Sequence, residues 1–172
     1  DGILIADMPV EESDEICMVA SHNSIDPIFL ITQTTTERRI KKIVAKAIYH
    51  EIDVIAICDH NSAENVPALL RAAHGTPLIV LPGMEVCTKE EVHVVALFDT
   101  VESAFELQKH VYERLEGKND EKVFGMQVVA NENDEVLRFN SKLLIGAADL
   151  SIEQLIFIIH QLNGLAIASH ID

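Results

Sequence analysis

The sequence has 172 residues, with 28 Asp and Glu against 13 Lys and Arg, and a formal net charge of −15. This acidic balance disfavours nucleic-acid binding, because phosphate contacts need Lys and Arg. No apolar run approaches the roughly 20 residues of a membrane span, and no secretion signal opens the chain, so no membrane partner is expected. Three widely spaced cysteines favour a reducing, cytoplasmic location over a disulfide framework, and each would serve as a small buried hydrophobe.

The first quarter of the chain predicts alternating strands and helices. Residues 3–6 form a short strand candidate, and residues 10–23 resemble a helix with acidic residues in its first turn. A second strand is predicted at residues 27–31. A helix follows at about residues 37–50, where the apolar residues recur at the spacing of one helix face.

Residues 53–61 are the most informative stretch. An unbroken apolar run there ends in Asp59, His60 and Asn61, which is typical of a buried parallel strand with polar groups at its carboxyl end. Asn61 followed by Glu64 resembles a capping box for a helix that runs to about His74. Further strands are predicted at residues 78–81 and 92–98.

The second half of the chain continues the alternation. A helix is predicted at residues 101–115, and a loop at 116–125. Residues 126–130 and 136–139 flank a polar turn and predict a β-hairpin inserted outside the main sheet. Ser151 opens another capping box, and the last strand ends at His170.

Alternating strands and amphipathic helices define the expected fold class, an α/β domain with a largely parallel sheet. About six main strands in 172 residues are too few for a closed eight-fold barrel, which needs about 250 residues. We therefore expect a TIM-like (β/α) barrel or part-barrel with a small hairpin insertion, in a single domain over residues 1–172. Exposed edges of a part-barrel would favour a homo-oligomer.

Four residues at or in the predicted strands predict a metal site: His60, Glu85, His93 and His170. Imidazole and carboxylate groups suit zinc, manganese and iron, and such ions support phosphate chemistry. Asp59 is a further candidate, either as a ligand or as a partner that orients an imidazole. Each residue taken singly also fits an ordinary structural role. No residue is singled out as catalytic.

From about Ala45 onward the chain resembles the PHP (polymerase and histidinol phosphatase) family of metal-dependent phosphoesterases. The stretches that carry the resemblance are IAICDHNSAENV, VLPGMEV, EVHVVALF, DLSIEQ and GLAIASHID. The resemblance implies a distorted barrel that binds up to three divalent metals and hydrolyses small phosphorylated substrates. It places His60, Glu85, His93 and His170 at ligand positions, with Glu85 as a bridging carboxylate.

The chain also departs from that family. It has no H-x-H motif, and it stops at Asp172 before the family's D-x-H motif. The resemblance therefore implies an incomplete ligand set, in which four ligands could still hold a single ion weakly.

Residues 1–44 resemble a different family, the tryptophan synthase α subunit, through DGILIADMPVEES, HNSIDPIFLIT and TTTERRIKKI. That family is a barrel that cleaves indole-glycerol phosphate, but its catalytic carboxylates and phosphate loops fall outside this segment. The two resemblances indicate a chimera joined within the helix near residues 42–48. Three hypotheses follow: an impaired PHP-type phosphoesterase, an inactive chimeric or fragmentary scaffold, and a tryptophan synthase α-like partner-binding fragment.

Overall fold

A computed structural model describes residues 3–7, 16–21, 28–31 and 40–169. Nine strands and five helices lie in these ranges. In chain order they are β1 (Ile3–Asp7), β2 (Ile16–Ser21), β3 (Ile28–Ile31), α1 (Ile40–Tyr49), β4 (Val54–Ile57), α2 (Val66–Ala73), β5 (Ile79–Cys87), β6 (His93–Leu97), α3 (Val101–Tyr112), α4 (Glu121–Phe124), β7 (Val128–Ala130), β8 (Val136–Phe139), α5 (Ile152–Gln161) and β9 (Leu165–Ala168).

Seven strands form one sheet in the order β1-β2-β3-β4-β5-β6-β9. The mixed α/β class is confirmed, but the expectation of a largely parallel sheet is wrong. Only the β3–β4 and β4–β5 pairs are parallel, and the other four pairs are antiparallel. The described strands run in an open order from β1 to β9, so a complete barrel is not shown.

Side-chain alternation along the central strands separates two apolar faces. Ile55 and Ile57 of β4 face the large core that also contains the buried faces of α1, α2, α3 and α5. Ala56 and Cys58 face a smaller cluster together with Val95, Leu97 and Ile167. Because β-strand side chains alternate, Glu85 and His93 belong to the face opposite the helices. The candidate site lies on that face.

Three further expectations differ from the structure. The helix predicted at residues 10–23 is wrong, because residues 16–21 form β2; six mostly apolar residues fit either a strand or a helix, and the pairing with β1 and β3 decides. Strand β5 continues through Pro82 and Gly83 to Cys87 instead of ending at residue 81. The loop predicted at residues 116–125 contains the short helix α4.

Several local predictions are confirmed. Strands β7 and β8 pair as a separate two-stranded sheet, so the hairpin does lie outside the main sheet. Ser151 and Gln154 form the predicted capping box at the start of α5. Among the described helices, none has the length and apolar character that crossing a membrane requires.

Candidate metal site

Three strands bring the candidate ligands to one place. His60 follows β4 and forms an isolated parallel bridge with Glu85 of β5. Cys87 pairs directly with His93 across the antiparallel β5–β6 ladder. We call His60, Glu85, Cys87 and His93 the strand-end cluster.

The strand-end cluster is compact. The ring centroids of His60 and His93 lie 4.9 Å apart, with their planes at 75°. Nδ1 of His93 lies 3.3 Å from Oε1 of Glu85, whose side chain is 4% exposed. The ligand atoms offered by His60, Cys87 and His93 all lie within 4.8 Å of one another. The described residues therefore contain a group that could hold a metal ion.

Hydrogen bonding determines which nitrogen of His60 faces the cluster. Asn61 uses both amide hydrogens on backbone oxygens, donating to Leu144 O at 2.8 Å and Gly146 O at 2.7 Å. Nδ1 of His60 lies 2.7 Å from the same Leu144 oxygen, so it donates and carries the proton. Nε2 of His60 is then an acceptor with a lone pair for a metal ion.

The second histidine has a similar arrangement. The Glu85 carboxylate beside Nδ1 of His93 favours the tautomer with the proton on that nitrogen, which again leaves Nε2 as the ligand atom. A carboxylate in this position orients the imidazole of a metal-binding histidine. The geometry gives Glu85 an orienting role in addition to its predicted role as a ligand.

Burial dominates the electrostatics of the strand-end cluster. Burial lowers the pKa of His60 below its usual value, while Leu144 and Glu85 oppose that shift. Burial also raises the pKa of the Cys87 thiol, and the charges of Glu91 and Glu85 add to the effect. The depressed pKa of His60 favours a neutral imidazole, which is the form that binds metals.

The remaining predicted residues are placed differently. The Asp59 carboxylate is 4% exposed, and its Oδ2 accepts a hydrogen bond from Asn65 Nδ2 at 2.9 Å. Asp59 lies outside the group of three with mutually close ligand atoms, and its orienting role remains a prediction. His170 lies outside the described residues.

Sequence reasoning missed one member of the strand-end cluster and gave one supporting residue the wrong role. Cys87 was interpreted as a buried hydrophobe, although the alternation in Glu85-Val86-Cys87 places it on the same strand face as Glu85. Asn61 is no helix cap: α2 begins at Val66, and Asn61 instead has a positive φ of 53° and a fully buried side chain. The two carbonyl oxygens to which it donates lie more than 80 residues further along the chain, where no local pattern could reveal them.

A cavity of about 340 Å³ adjoins the strand-end cluster at His60. Its lining residues include Asp59 and His60, together with Phe124 of α4, Met126, and Val128 of β7. A small molecule in this cavity would lie against the imidazole of His60.

Sequence comparison identifies the family of this chain. The family model of the tryptophan synthase alpha chain matches residues 1–119, so the chain belongs to that family. The match extends beyond residue 44 and includes the whole strand-end cluster.

Individual relatives agree with this family. The tryptophan synthase alpha chain of Methanoregula boonei is 40% identical over 97 residues, covering 54% of this chain and 37% of that protein. The alpha chain of Methanopyrus kandleri is 54% identical over 46 residues, covering 27% of this chain and 17% of that protein. The alpha chain of Desulfatibacillum aliphaticivorans is 30% identical over 148 residues, covering 80% of this chain and 52% of that protein. This chain thus spans about half or less of the length of these curated relatives.

One similar solved structure is that of a protein from Bifidobacterium adolescentis that is assigned as a metal-dependent phosphoesterase. Its TM-score is 0.39 at 19% identity, covering 50% of this chain and 34% of that one. A similarity this low does not establish a common fold.

Proposed function

We propose that this chain binds one divalent transition-metal ion through His60 and His93, with Glu85 as a third ligand or as the group that orients His93, and that the site hydrolyses a phosphate ester. One observation carries the proposal: side chains from the end of β4, from β5 and from β6 converge, with the His60 and His93 ring centroids 4.9 Å apart. Nδ1 of His60 is hydrogen-bonded to Leu144 O at 2.7 Å, and Nδ1 of His93 lies 3.3 Å from Oε1 of Glu85. Neutral imidazoles with a carboxylate suit zinc, manganese or iron.

The residues of the site would have different roles. Nε2 of His60 and Nε2 of His93 would hold the ion, and Glu85 would either bind it or fix the ring of His93. A bound ion would supply an activated water and neutralise charge on phosphate oxygens. The cavity beside His60 would take the organic part of the substrate, and its apolar residues Phe124, Met126 and Val128 favour an apolar group there.

A second candidate function comes from the comparisons, which favour it over the phosphoesterase. The family match covers residues 1–119, whereas the phosphoesterase similarity has a TM-score of only 0.39. As a member of the tryptophan synthase alpha chain family, the chain would act as a partner-binding piece of that synthase. Co-elution with a tryptophan synthase beta chain in size-exclusion chromatography would support this candidate.

Metal titration tests the first proposal. We expect the chelator-treated protein to bind Zn²⁺ at one site in isothermal titration calorimetry. His93→Ala should weaken binding at least about tenfold, because even groups that only support a ligand are worth ten- to a hundredfold in affinity. His74→Ala is the matched control, since His74 is exposed at the end of α2 and should bind as the unmodified chain does.

Hydrolysis is measured on the same samples with p-nitrophenyl phosphate, with added Zn²⁺ and, separately, with added Mn²⁺. Turnover by the unmodified chain that is lost in Glu85→Ala would support the phosphoesterase function. Metal binding without turnover would reduce the proposal to a metal-binding scaffold. No binding of either ion would contradict the proposal altogether and leave the partner-binding candidate.

A further inference from the structure

We propose that Cys87 supplies a sulfur ligand to the bound ion alongside His60 and His93, so that the site selects Zn²⁺ and Co²⁺ over Mn²⁺ and Mg²⁺. The inference rests on the metal binding proposed above and specifies which metals the same site accepts.

Strand register places Cys87 in the cluster. Cys87 lies opposite His93 in the β5–β6 pairing, and side chains opposite each other in an antiparallel pair lie on the same face with Cβ atoms about 5 Å apart. Glu85, two residues earlier on β5, lies on that face as well. Its backbone forms an isolated parallel β-bridge with His60. The Cys87 sulfur is therefore surrounded by the two imidazoles and not by the helix-facing core.

Distances agree with a shared ion. Ligand atoms around a tetrahedral zinc are about 3.5 Å apart, as follows from metal–ligand bonds of about 2.0 to 2.3 Å. The ligand atoms of His60, Cys87 and His93 lie within 4.8 Å of one another, so small side-chain rotations bring them to that separation. Glu85 or a water would supply the fourth ligand.

The position of Cys87 is fixed by neighbours that leave its sulfur available. Its backbone N–H donates to Asn61 Oδ1 at 3.1 Å, so the asparagine that shares the Leu144 carbonyl with His60 also holds the Cys87 backbone. Its thiol makes a weak contact with the Thr88 carbonyl at 3.7 Å. When the ion binds, the S–H bond breaks, a sulfur–metal bond forms and the proton passes to solvent.

The chemical identity of the ligands determines the selectivity. Thiolate is a soft ligand that favours zinc and cobalt, whereas magnesium and manganese prefer oxygen ligands. A site of two imidazoles and one thiolate therefore differs from one built of imidazoles and carboxylates alone. The difference is measurable without any enzymatic assay.

Cobalt spectroscopy tests the inference. We expect Co²⁺ bound to the full chain to give a near-ultraviolet thiolate-to-cobalt charge-transfer band. Cys87→Ser should abolish that band and weaken Zn²⁺ binding at least about tenfold, while Mn²⁺ affinity changes little. Cys58→Ser is the matched control, because Cys58 is also buried but lies outside the ligand group, and this variant should keep the band.

X-ray absorption at the zinc edge of the unmodified chain repeats the test without depending on how a variant folds. We expect a sulfur neighbour at about 2.3 Å from zinc. Co²⁺ or Zn²⁺ bound with only nitrogen and oxygen neighbours would overturn the role of Cys87 and leave the proposed metal binding intact. If neither Co²⁺ nor Zn²⁺ binds, both the role of Cys87 and the proposed metal binding are overturned.

Discussion

Asn61→Ala should lower the free energy of unfolding by about 4 kcal/mol, because it removes a buried side chain with three hydrogen bonds from a residue with positive φ. The amide of Asn61 donates to Leu144 and Gly146 and accepts from the Cys87 backbone. Alanine leaves the buried Cys87 N–H and the part-buried Gly146 oxygen without these partners. An unsatisfied buried group costs about 1 to 3 kcal/mol, with the Gly146 oxygen at the lower end. Urea denaturation measures the change.

Asn163→Ala is the matched control for backbone strain. Asn163 has a φ of 56°, close to the 53° of Asn61, but its side chain is exposed. The control should therefore lose only about 1 kcal/mol, the cost of a left-handed conformation for alanine. Equal losses in the two variants would show that the buried hydrogen bonds of Asn61 contribute little.

Asn65→Ala should lower the free energy of unfolding by about 3 kcal/mol and loosen the hairpin insertion. Nδ2 of Asn65 donates to the Asp59 carboxylate at 2.9 Å and to Val128 O at 3.2 Å. Its Oδ1 accepts from the Ala130 N–H at 3.0 Å. One side chain thus connects the loop after β4 to strand β7. The hydrogen bond to the charged Asp59 carboxylate is roughly twice as strong as one between neutral groups.

Hydrogen exchange at the Ala130 amide measures the local part of this effect, and urea denaturation measures the global part. We expect faster exchange at Ala130 in Asn65→Ala. Asn133→Ala changes an exposed asparagine in the turn of the same hairpin and should alter stability by no more than about 0.5 kcal/mol. Unchanged exchange at Ala130 would show that the insertion is held elsewhere, for example by the Glu64–Arg138 ion pair.

Local signals in the sequence predicted those elements whose causes are local. The Ser151 capping box, the apolar runs of β4 and β6, and the turn between β7 and β8 depend on residues within a few positions of one another. His60 and His93 were found for the same reason, because His60 directly follows an apolar run and His93 lies within one.

Sheet direction was predicted wrongly where chain connections decide it. Five residues, 88–92, separate β5 from β6, and a parallel crossover needs a dozen or more. The sequence contained this signal, and it requires the antiparallel pair in which Cys87 faces His93. The β6–β9 pairing joins residues about 70 positions apart, and nothing local determines it.

The role of Asn61 depends on an approach that sequence patterns do not encode. Leu144 and Gly146, which follow the hairpin insertion in the chain, accept hydrogen bonds from His60 and Asn61 across more than 80 residues of sequence. An Asn before an amphipathic segment more often caps a helix, which is why the capping interpretation was natural.

The most direct test of the account is an anomalous difference map, recorded at the zinc absorption edge, from crystals of the full chain grown with Zn²⁺. The account predicts a peak bonded to Nε2 of both His60 and His93, with zinc–nitrogen distances of about 2.0 Å. A map with no peak between those two rings, under conditions in which the crystals contain zinc, would contradict it.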